Sequence, residues 1–406
     1  MNKSIVSICR AADYAPENIK KAVSECLQAL GGIEKFVSPG QKILLKPNLL
    51  GTFAPEKAVT TNPEVVKAVA QIVIAAGAKC FIGDSPGMGS FKSVCQITGM
   101  TGVAEASGAE LRELNDPGEF IQIDNKVGRK LPLSSFLKEI DVIITLPKLK
   151  THGQMGFTGA LKNQYGLLPG SLKAEYHYRM KTREWLAEFV IDVNRAAPTK
   201  LAIMDAVIGM EGAGPSGGEP RKIGCIMASA DLTALDAVAC RMVGIVAEIN
   251  PIISASVKRG YGVVDPGKIE TVGVDPAELE IKDFKIIKEN INILRLLPLP
   301  DPAIEWLRQH WKAYPEIDPE KCIKCMNCRD GCPVKPPAID PDKAWQVNKS
   351  TCIKCYCCHE FCPVKAIKLD PTWFERHINL DIVAVFVGRV ISIPGRLAKF
   401  LPRRRK

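Results

Sequence analysis

Two runs of cysteines near the C-terminus constrain this chain of 406 residues more than any other feature. They read KCIKCMNCRDGCPVK from Lys321 and TCIKCYCCHEFCPVK from Thr351. Both have the spacing C-x2-C-x2-C-x3-C-P, which is typical of ligands to 4Fe–4S clusters. The sequence therefore predicts two sites, each built from four thiolates.

In this type of repeat, the fourth cysteine of each run ligates the cluster of the other run. The first predicted set is Cys322, Cys325, Cys328 and Cys362. The second predicted set is Cys352, Cys355, Cys358 and Cys332. Cys357 lies between two ligands, and we interpret it as a spare thiol in preference to a wrong-register ligand.

Zinc and disulfides explain these cysteines less well than clusters do. Zinc sites use pairs of ligands set far apart, and a disulfide framework requires an oxidising compartment. The N-terminal segment MNKSIVSICRAADYAP has no apolar run of signal-peptide length. Of the seven cysteines outside the eight ligand positions, six are scattered, as buried thiols usually are, and the seventh is Cys357. We therefore predict a cytoplasmic protein with reduced thiols.

The segment from about 318 to 370 resembles bacterial two-cluster ferredoxins, on the two runs quoted above. The resemblance implies a small α+β domain with two 4Fe–4S clusters. It also implies exchange of single electrons with a redox partner protein or a small-molecule donor or acceptor. The insertion VKPPAIDPDKAWQVN after Cys332 departs from the pattern without touching a ligand.

The net charge of +10 is concentrated at the C-terminus, because seven basic residues and no acidic one lie in 389–406. The rest of the chain is close to neutral, so we expect no nucleic-acid partner. Residues 371–406 form a basic, amphipathic tail. We favour a helix docked on the protein over peripheral contact with a membrane surface, which such a tail also permits.

Residues 1–283 alternate apolar, strand-like runs with helix-like stretches. Strands that are apolar on both faces predict an α/β domain, with a mostly parallel sheet covered by helices. After about Val274 this pattern dissolves, and we interpret 284–317 as a linker with a helix near 301–312. The cluster domain follows at 318–370.

Polar residues follow several of the predicted strands, and ligands of open α/β sheets bind outside the carboxyl ends of the strands. These candidate binding residues are Lys46, Asn48, Asp84, Lys148, Lys150, His152 and Asp205. The four lysines of this edge, counting Lys162 further along, predict a basic pocket for a phosphate or a carboxylate. Asp84 and Asp205, like Asp236, are equally explained as caps of helices or turns.

The stretch HGQMGFTGALKNQYGLLPG begins at His152 and contains further candidates. Thr158 and Gly159 can start a helix whose free N–H groups attract an anion, and Lys162 adds a charge one turn later. No Walker A motif occurs. The glycine-rich segment GAGPSGGEP fits a surface loop as well as a lid or phosphate loop.

Taken together, KPN, GDSPG, LPKLKTH, TGALKN, MDAVIGMEGAGP and SADLTALDAVA resemble the family called domain of unknown function 362, over about 1–275. Members of that family are often fused to a two-cluster ferredoxin module. The segment from His152 through Lys162 to Leu168-Pro169-Gly170 also looks like nickel-pincer lactate racemases. That second resemblance implies a cofactor on Lys162, an acid/base role for His152, and His177 as a nickel ligand.

The combined features favour a ferredoxin-linked oxidoreductase that acts on a small anionic molecule, with catalytic roles for His152 and Lys162. A non-catalytic electron-transfer or assembly subunit is the alternative from another class. A nickel-pincer isomerase or racemase is a further alternative. Ligand binding in the strand-end pocket, the response of the clusters to substrate, and nickel content distinguish the three.

Overall fold

A computed structural model describes residues 3–121, 130–170, 172–180, 183–197, 199–247, 250–286, 313–362 and 364–369. The predicted tail at 371–406, and the predicted helix at 301–312 with most of the linker around it, lie outside these residues. Across the described ranges, none of the helices combines the length and apolar character that crossing a bilayer would require.

Fourteen strands are formed within the described residues. They are β1 Ser4–Arg10, β2 Lys42–Pro47, β3 Lys79–Asp84, β4 Glu110–Glu113, β5 Pro117–Ile121, β6 Lys130–Ser134, β7 Val142–Leu146, β8 Lys148–His152, β9 Gly156–Thr158, β10 Thr199–Glu211, β11 Glu219–Ser229, β12 Ile269–Gly273, β13 Pro315–Ile317 and β14 Ile367–Leu369.

The α-helices of the same residues are α1 Pro16–Ala29, α2 Pro63–Ala75, α3 Phe91–Ile97, α4 Met100–Ser107, α5 Ala160–Asn163, α6 Leu172–Arg179, α7 Arg183–Ala196, α8 Leu232–Met242, α9 Pro251–Lys258, α10 Asn327–Asp330 and α11 Cys357–Glu360. Short 3-10 turns occur at Ile33–Lys35, Pro55–Lys57, Ser135–Glu139, Gln164–Leu167, Pro266–Lys268 and Pro276–Leu279.

The main sheet has the strand order β12-β1-β11-β10-β7-β2-β3-β4, and β8 and β9 extend it beside β10. Along this path only β11 runs against its neighbours. The prediction of a mostly parallel α/β sheet is therefore confirmed. The exception arises because the first seven residues of GAGPSGGEP form the loop of a β10–β11 hairpin, and a hairpin makes its strands antiparallel.

Helices cover both faces of the sheet, as the apolar strands require. In β2, Ile43 and Leu45 enter a core shared with α1 and α2, whereas Leu44 enters a second core shared with α7 and α8. Alternate side chains of a strand point to opposite faces, so each strand contributes to both cores. At the start of α2, the side chain of Asn62 accepts a hydrogen bond from the Glu64 amide and so caps the helix.

The cluster module forms a third small core around the two cysteine runs. Its terminal strands β13 and β14 pair antiparallel, although β13 falls within the predicted linker. Phe361 packs onto Gly331, the equivalent residue of the first run, and a Cβ atom at Gly331 would collide with the ring. Phe361 also lies beside Gly87, and His359 lies beside Gly217, so the module contacts the α/β domain.

Candidate functional site

The eight predicted ligand cysteines form two cages, where a cage is a set of four cysteines that line one small cavity, three from one run and one from the other. One small cavity is lined by Cys322, Cys325, Cys328 and Cys362. A second is lined by Cys332, Cys352, Cys355 and Cys358. Within the described ranges, no three His, Cys, Asp or Glu side chains converge tightly enough for a single metal ion. Four sulfurs around an apolar cavity fit an iron–sulfur cubane instead.

The backbone of the two runs is shaped alike around these cages. Lys324 and Lys354 both have a positive φ, of 52° and 53°. Their amides donate to the sulfurs of Cys322 and Cys352 at 3.4 Å each, and such hydrogen bonds tune a bound cluster. Burial is the main cause that raises the pKa of Cys328 to about 11, and neighbouring cysteines raise it further. A cationic centre close to Cys328 would favour its thiolate form.

A cavity of about 490 Å³ lies between the α/β domain and the cluster module. On the domain side it is lined at the carboxyl ends of β2 and β3, by residues that include Lys46, Asn48 and Asp84. The strand order reverses at β2, because the chain adds β3 on one side of β2 and later adds β7 on the other side. Open α/β sheets bind ligands at such a switch point.

A buried ion pair forms the floor of this cavity. Lys46 Nζ lies 2.9 Å from Asp84 Oδ1, and Lys46 is 1% exposed. Burial lowers the pKa of Lys46, while Asp84 acts in the opposite direction. The other oxygen of Asp84 accepts from the Leu49 amide at 2.8 Å. Gly166 allows this pair to approach the backbone, because a Cβ atom there would collide with both side chains.

Two further lysines, Lys162 and Lys173, line the same cavity. Lys162 Nζ lies 5.6 Å from the centre of the Tyr165 ring. Lys173 donates to the Ser85 carbonyl. Lys173 is half-buried. Burial lowers the pKa of Lys173 to about 7, Asp84 raises it, and Lys46 and Lys162 lower it.

While Lys173 is protonated, the charged lining residues give the cavity a net positive charge. Three lysines face two carboxylates, Asp84 and Asp330, and Asp84 is already paired with Lys46. Thr158 also lines the cavity; its hydroxyl is buried and has no hydrogen-bond partner among the described residues. A ligand with negatively charged oxygens would satisfy both Thr158 and the surplus lysine charge.

The remaining predicted lysines lie at the same edge of the sheet but outside the cavity lining. Lys148 Nζ bonds Asp205 Oδ2 at 2.8 Å and Tyr14 Oη at 2.8 Å. Lys150 Nζ donates to Asn48 Oδ1 at 3.0 Å and to the Val59 carbonyl. Burial lowers the pKa of Lys148 and raises that of Tyr14, so this network is a buried structural one.

Gly159 and His152 also lie outside the lining. The first amides of α5, at Ala160 and Leu161, donate to Asp236 at 2.7 and 3.0 Å. The predicted free N–H groups after Gly159 are therefore capped from within the protein. Burial raises the pKa of Asp236 to about 7 despite these bonds. His152 Nδ1 accepts from the amides of Gln154 and Met155 at the β8–β9 turn.

Several residues at this site were not among the candidate binding residues predicted from the sequence. Ser85 and Asn115 meet at 2.6 Å and both accept from the Gly170 amide, which draws the β3 loop and the segment before α6 together. Asn163 bridges β2 and β7 through the Lys46 carbonyl and Thr145. Only the placement of Ser85 within GDSPG pointed to it beforehand. The side chain of His177 lies outside the described residues.

The cluster module supplies the opposite wall of the cavity. This wall contains Asn327, Asp330, Gly331, Cys357 and Phe361. Asn327 precedes the predicted ligand Cys328, and Cys357 precedes the predicted ligand Cys358. In each cage, one predicted ligand is therefore the immediate sequence neighbour of a residue that lines the cavity. Cys357 is buried in that wall and lies outside the lining of both cages.

Comparison with known proteins follows the same division of the chain. Residues 43–241 match the family described as domain of unknown function (DUF362). Residues 314–363 match the 4Fe-4S dicluster domain. The thylakoid-associated protein sll1697 of Synechocystis sp. is 38% identical over 232 residues, which cover 57% of this chain and 72% of that protein.

Two solved structures resemble the chain distantly. The lactate racemase apoprotein of Thermoanaerobacterium thermosaccharolyticum is 10% identical, with a TM-score of 0.41, and the match covers 60% of this chain and 58% of that one. A protein from Thermotoga maritima is 11% identical, with a TM-score of 0.35, and the match covers 60% and 59%. The chain thus spans less than two thirds of either structure.

Proposed function

The chain belongs to the DUF362 family and carries a 4Fe–4S dicluster domain, and from this premise we propose that it is an iron–sulfur oxidoreductase for a small anionic molecule. One observation carries the proposal. The cavity between domain and module is lined by Lys46, Lys162 and Lys173 on one side and by the neighbours of two cluster ligands on the other.

The eight cysteines of the two cages would hold two clusters. When bound, such clusters supply one-electron transfer at potentials set by charge, hydrogen bonding and exposure. Lys162 and Lys173 bind and orient the anion, and the Thr158 hydroxyl donates to one of its oxygens. The wall formed by Cys357 and Phe361 excludes water from the side of the ligand that faces the clusters.

The decisive experiment is anaerobic purification followed by analysis of iron, sulfide, nickel and released small molecules. An oxidoreductase should contain about eight irons, from two cubanes, and an organic anion that changes the cluster signal on binding. A protein with clusters and no cavity ligand would be a carrier or assembly subunit. Stoichiometric nickel would identify the pincer-type alternative.

Replacing Lys162 by Ala is expected to abolish binding of the anion and leave both clusters intact. Lys162 is only half-buried and lines the cavity far along the chain from either cage, so its removal costs the fold little. Calorimetric titration with sulfate measures anion binding, and iron analysis measures cluster content. Unchanged sulfate affinity would reject the role, and Lys138→Ala, on the surface of the domain, is the control.

Binding of sulfate is expected to weaken by at least about tenfold as the pH rises through 7, since one charge close to the anion is lost. The pKa of Lys173 is lowered to about 7, so its ammonium is charged below that pH and neutral above it. Sulfate itself stays fully ionised, which makes it a better probe than phosphate.

The other titratable residues that line the cavity are Asp84, Lys46, Lys162 and Tyr165 on the domain and Asp330 and Cys357 on the module. Lys173→Met should bind sulfate weakly at every pH and remove the step near pH 7. A step that persists in this variant would assign the titration to one of the other groups.

A further inference from the structure

The internal repeat of the cluster module places two lysines in equivalent positions. Lys324 and Lys354 each follow the first cysteine of a run by two residues. Each has the same left-handed backbone and donates its amide to a cage sulfur at 3.4 Å. The two residues therefore differ only in where their side chains lie, and each is an internal reference for the other.

The side chain of Lys354 is buried, whereas that of Lys324 is exposed. Lys354 is 6% exposed, and its Nζ lies 3.7 Å from the centre of the Tyr314 ring. Lys324 Nζ lies 5.5 Å from the Trp345 ring and is open to solvent. Water screens the charge of Lys324, but a charge enclosed by protein acts with a several-fold smaller effective dielectric constant.

The cages differ in the same sense. Cys325 of the first cage is exposed, whereas its counterpart Cys355 in the second cage is half-buried. Removing an anionic cluster from water disfavours the addition of an electron. The buried Lys354 ammonium, carried two residues after Cys352 of the less exposed cage, offsets this penalty, while the more exposed cage needs less compensation.

We infer that Lys354 raises the reduction potential of the site held by Cys332, Cys352, Cys355 and Cys358, while Lys324 has little influence on the other site. This inference rests on the proposed pair of clusters. It means that Lys354 largely sets how an added electron is distributed between the two sites.

Potentiometric titration followed by electron paramagnetic resonance tests the inference in Lys354→Met and Lys324→Met. In Lys354→Met, one midpoint potential should fall relative to the other. The electron distribution between the sites should change by at least about tenfold, which is about 59 mV for one electron. In Lys324→Met the distribution should change by less than about threefold, because water already screens that charge. Lys354→Arg should retain the wild-type gap, since it keeps the charge.

Equal shifts in the two methionine variants, or no shift in Lys354→Met, would overturn the inference. So would a fall in Lys354→Arg as large as in Lys354→Met, because packing and not charge would then be responsible. Lys354→Gln provides the same comparison if the methionine variant loses iron. Wild-type protein without two clusters would instead count against the proposed function, so the two failures are distinguishable.

Discussion

Removing Cys322 and Cys362 together is expected to leave about four irons per chain, whereas removing Cys352 and Cys362 together leaves almost none. Cys322 and Cys362 line the same cage, so the first pair of substitutions destroys one cluster only. Cys352 lines the other cage, so the second pair damages both. A cubane that loses one thiolate is expected to be lost during purification.

Iron and acid-labile sulfide, measured after anaerobic purification of the serine variants, decide between the crosswise pairing and pairing within each run. Pairing within a run predicts the reverse result: four irons without Cys352 and Cys362, and none without Cys322 and Cys362. Cys357→Ser is the matched control, because Cys357 lies next to a ligand yet outside both cages. It should keep about eight irons.

Lys148→Met is expected to lower the free energy of unfolding by about 3–5 kcal/mol, because it leaves the buried Asp205 without its cation. Lys148 and Asp205 are 1% and 0% exposed at their side chains and meet at 2.8 Å. Tyr14 and the Asn62 amide would still donate to Asp205, but neither neutralises its charge. Chemical denaturation under anaerobic conditions, followed by circular dichroism, measures the loss.

The matched comparison is Lys162→Ala, which should change the unfolding free energy by less than about 0.5 kcal/mol while losing sulfate binding. Lys148→Met should bind sulfate normally, since Lys148 lies outside the cavity lining. Adding Asp205→Asn to Lys148→Met should restore part of the stability, because no buried charge then remains. If Lys148→Met instead lost sulfate binding with full stability, Lys148 would belong to the ligand site.

The lysines at the strand ends show what a pattern in the sequence can predict. Lys46 lies near the end of β2, and Lys148 and Lys150 lie in β8, a short strand that directly follows β7 where the sequence predicted a loop. The parallel pairing of β2 with β7 and of β8 with β10 brings the three lysines to one edge of the sheet. Their tasks depend on contacts made by distant segments. Lys148 is engaged by Tyr14, 134 residues away along the chain, and Lys150 by Asn48. Such partners follow from packing, which no local spacing encodes.

The helix start at Thr158-Gly159 also shows that local sequence does not predict tertiary partners. A helix does begin there, and an anion does meet its first amides, but the anion is Asp236 of α8. The side chain of Asp236, brought there by tertiary packing, thus occupies the position next to these amides where the sequence predicted a ligand. Lys173 and the orphan hydroxyl of Thr158 mark the cavity that remains.

The 4Fe–4S domain and the layered α/β architecture could be predicted from the residues alone, because both depend on short-range regularities. Thiolate spacing within a loop fixes a cage, and apolar strands alternating with helices fix a covered parallel sheet. Which lysines line the cavity, and the position of this cavity next to both cages, became apparent only from the folded chain. Those facts arise where the loops of a sheet meet a separate module, and contacts between segments hundreds of residues apart depend on how the whole chain packs.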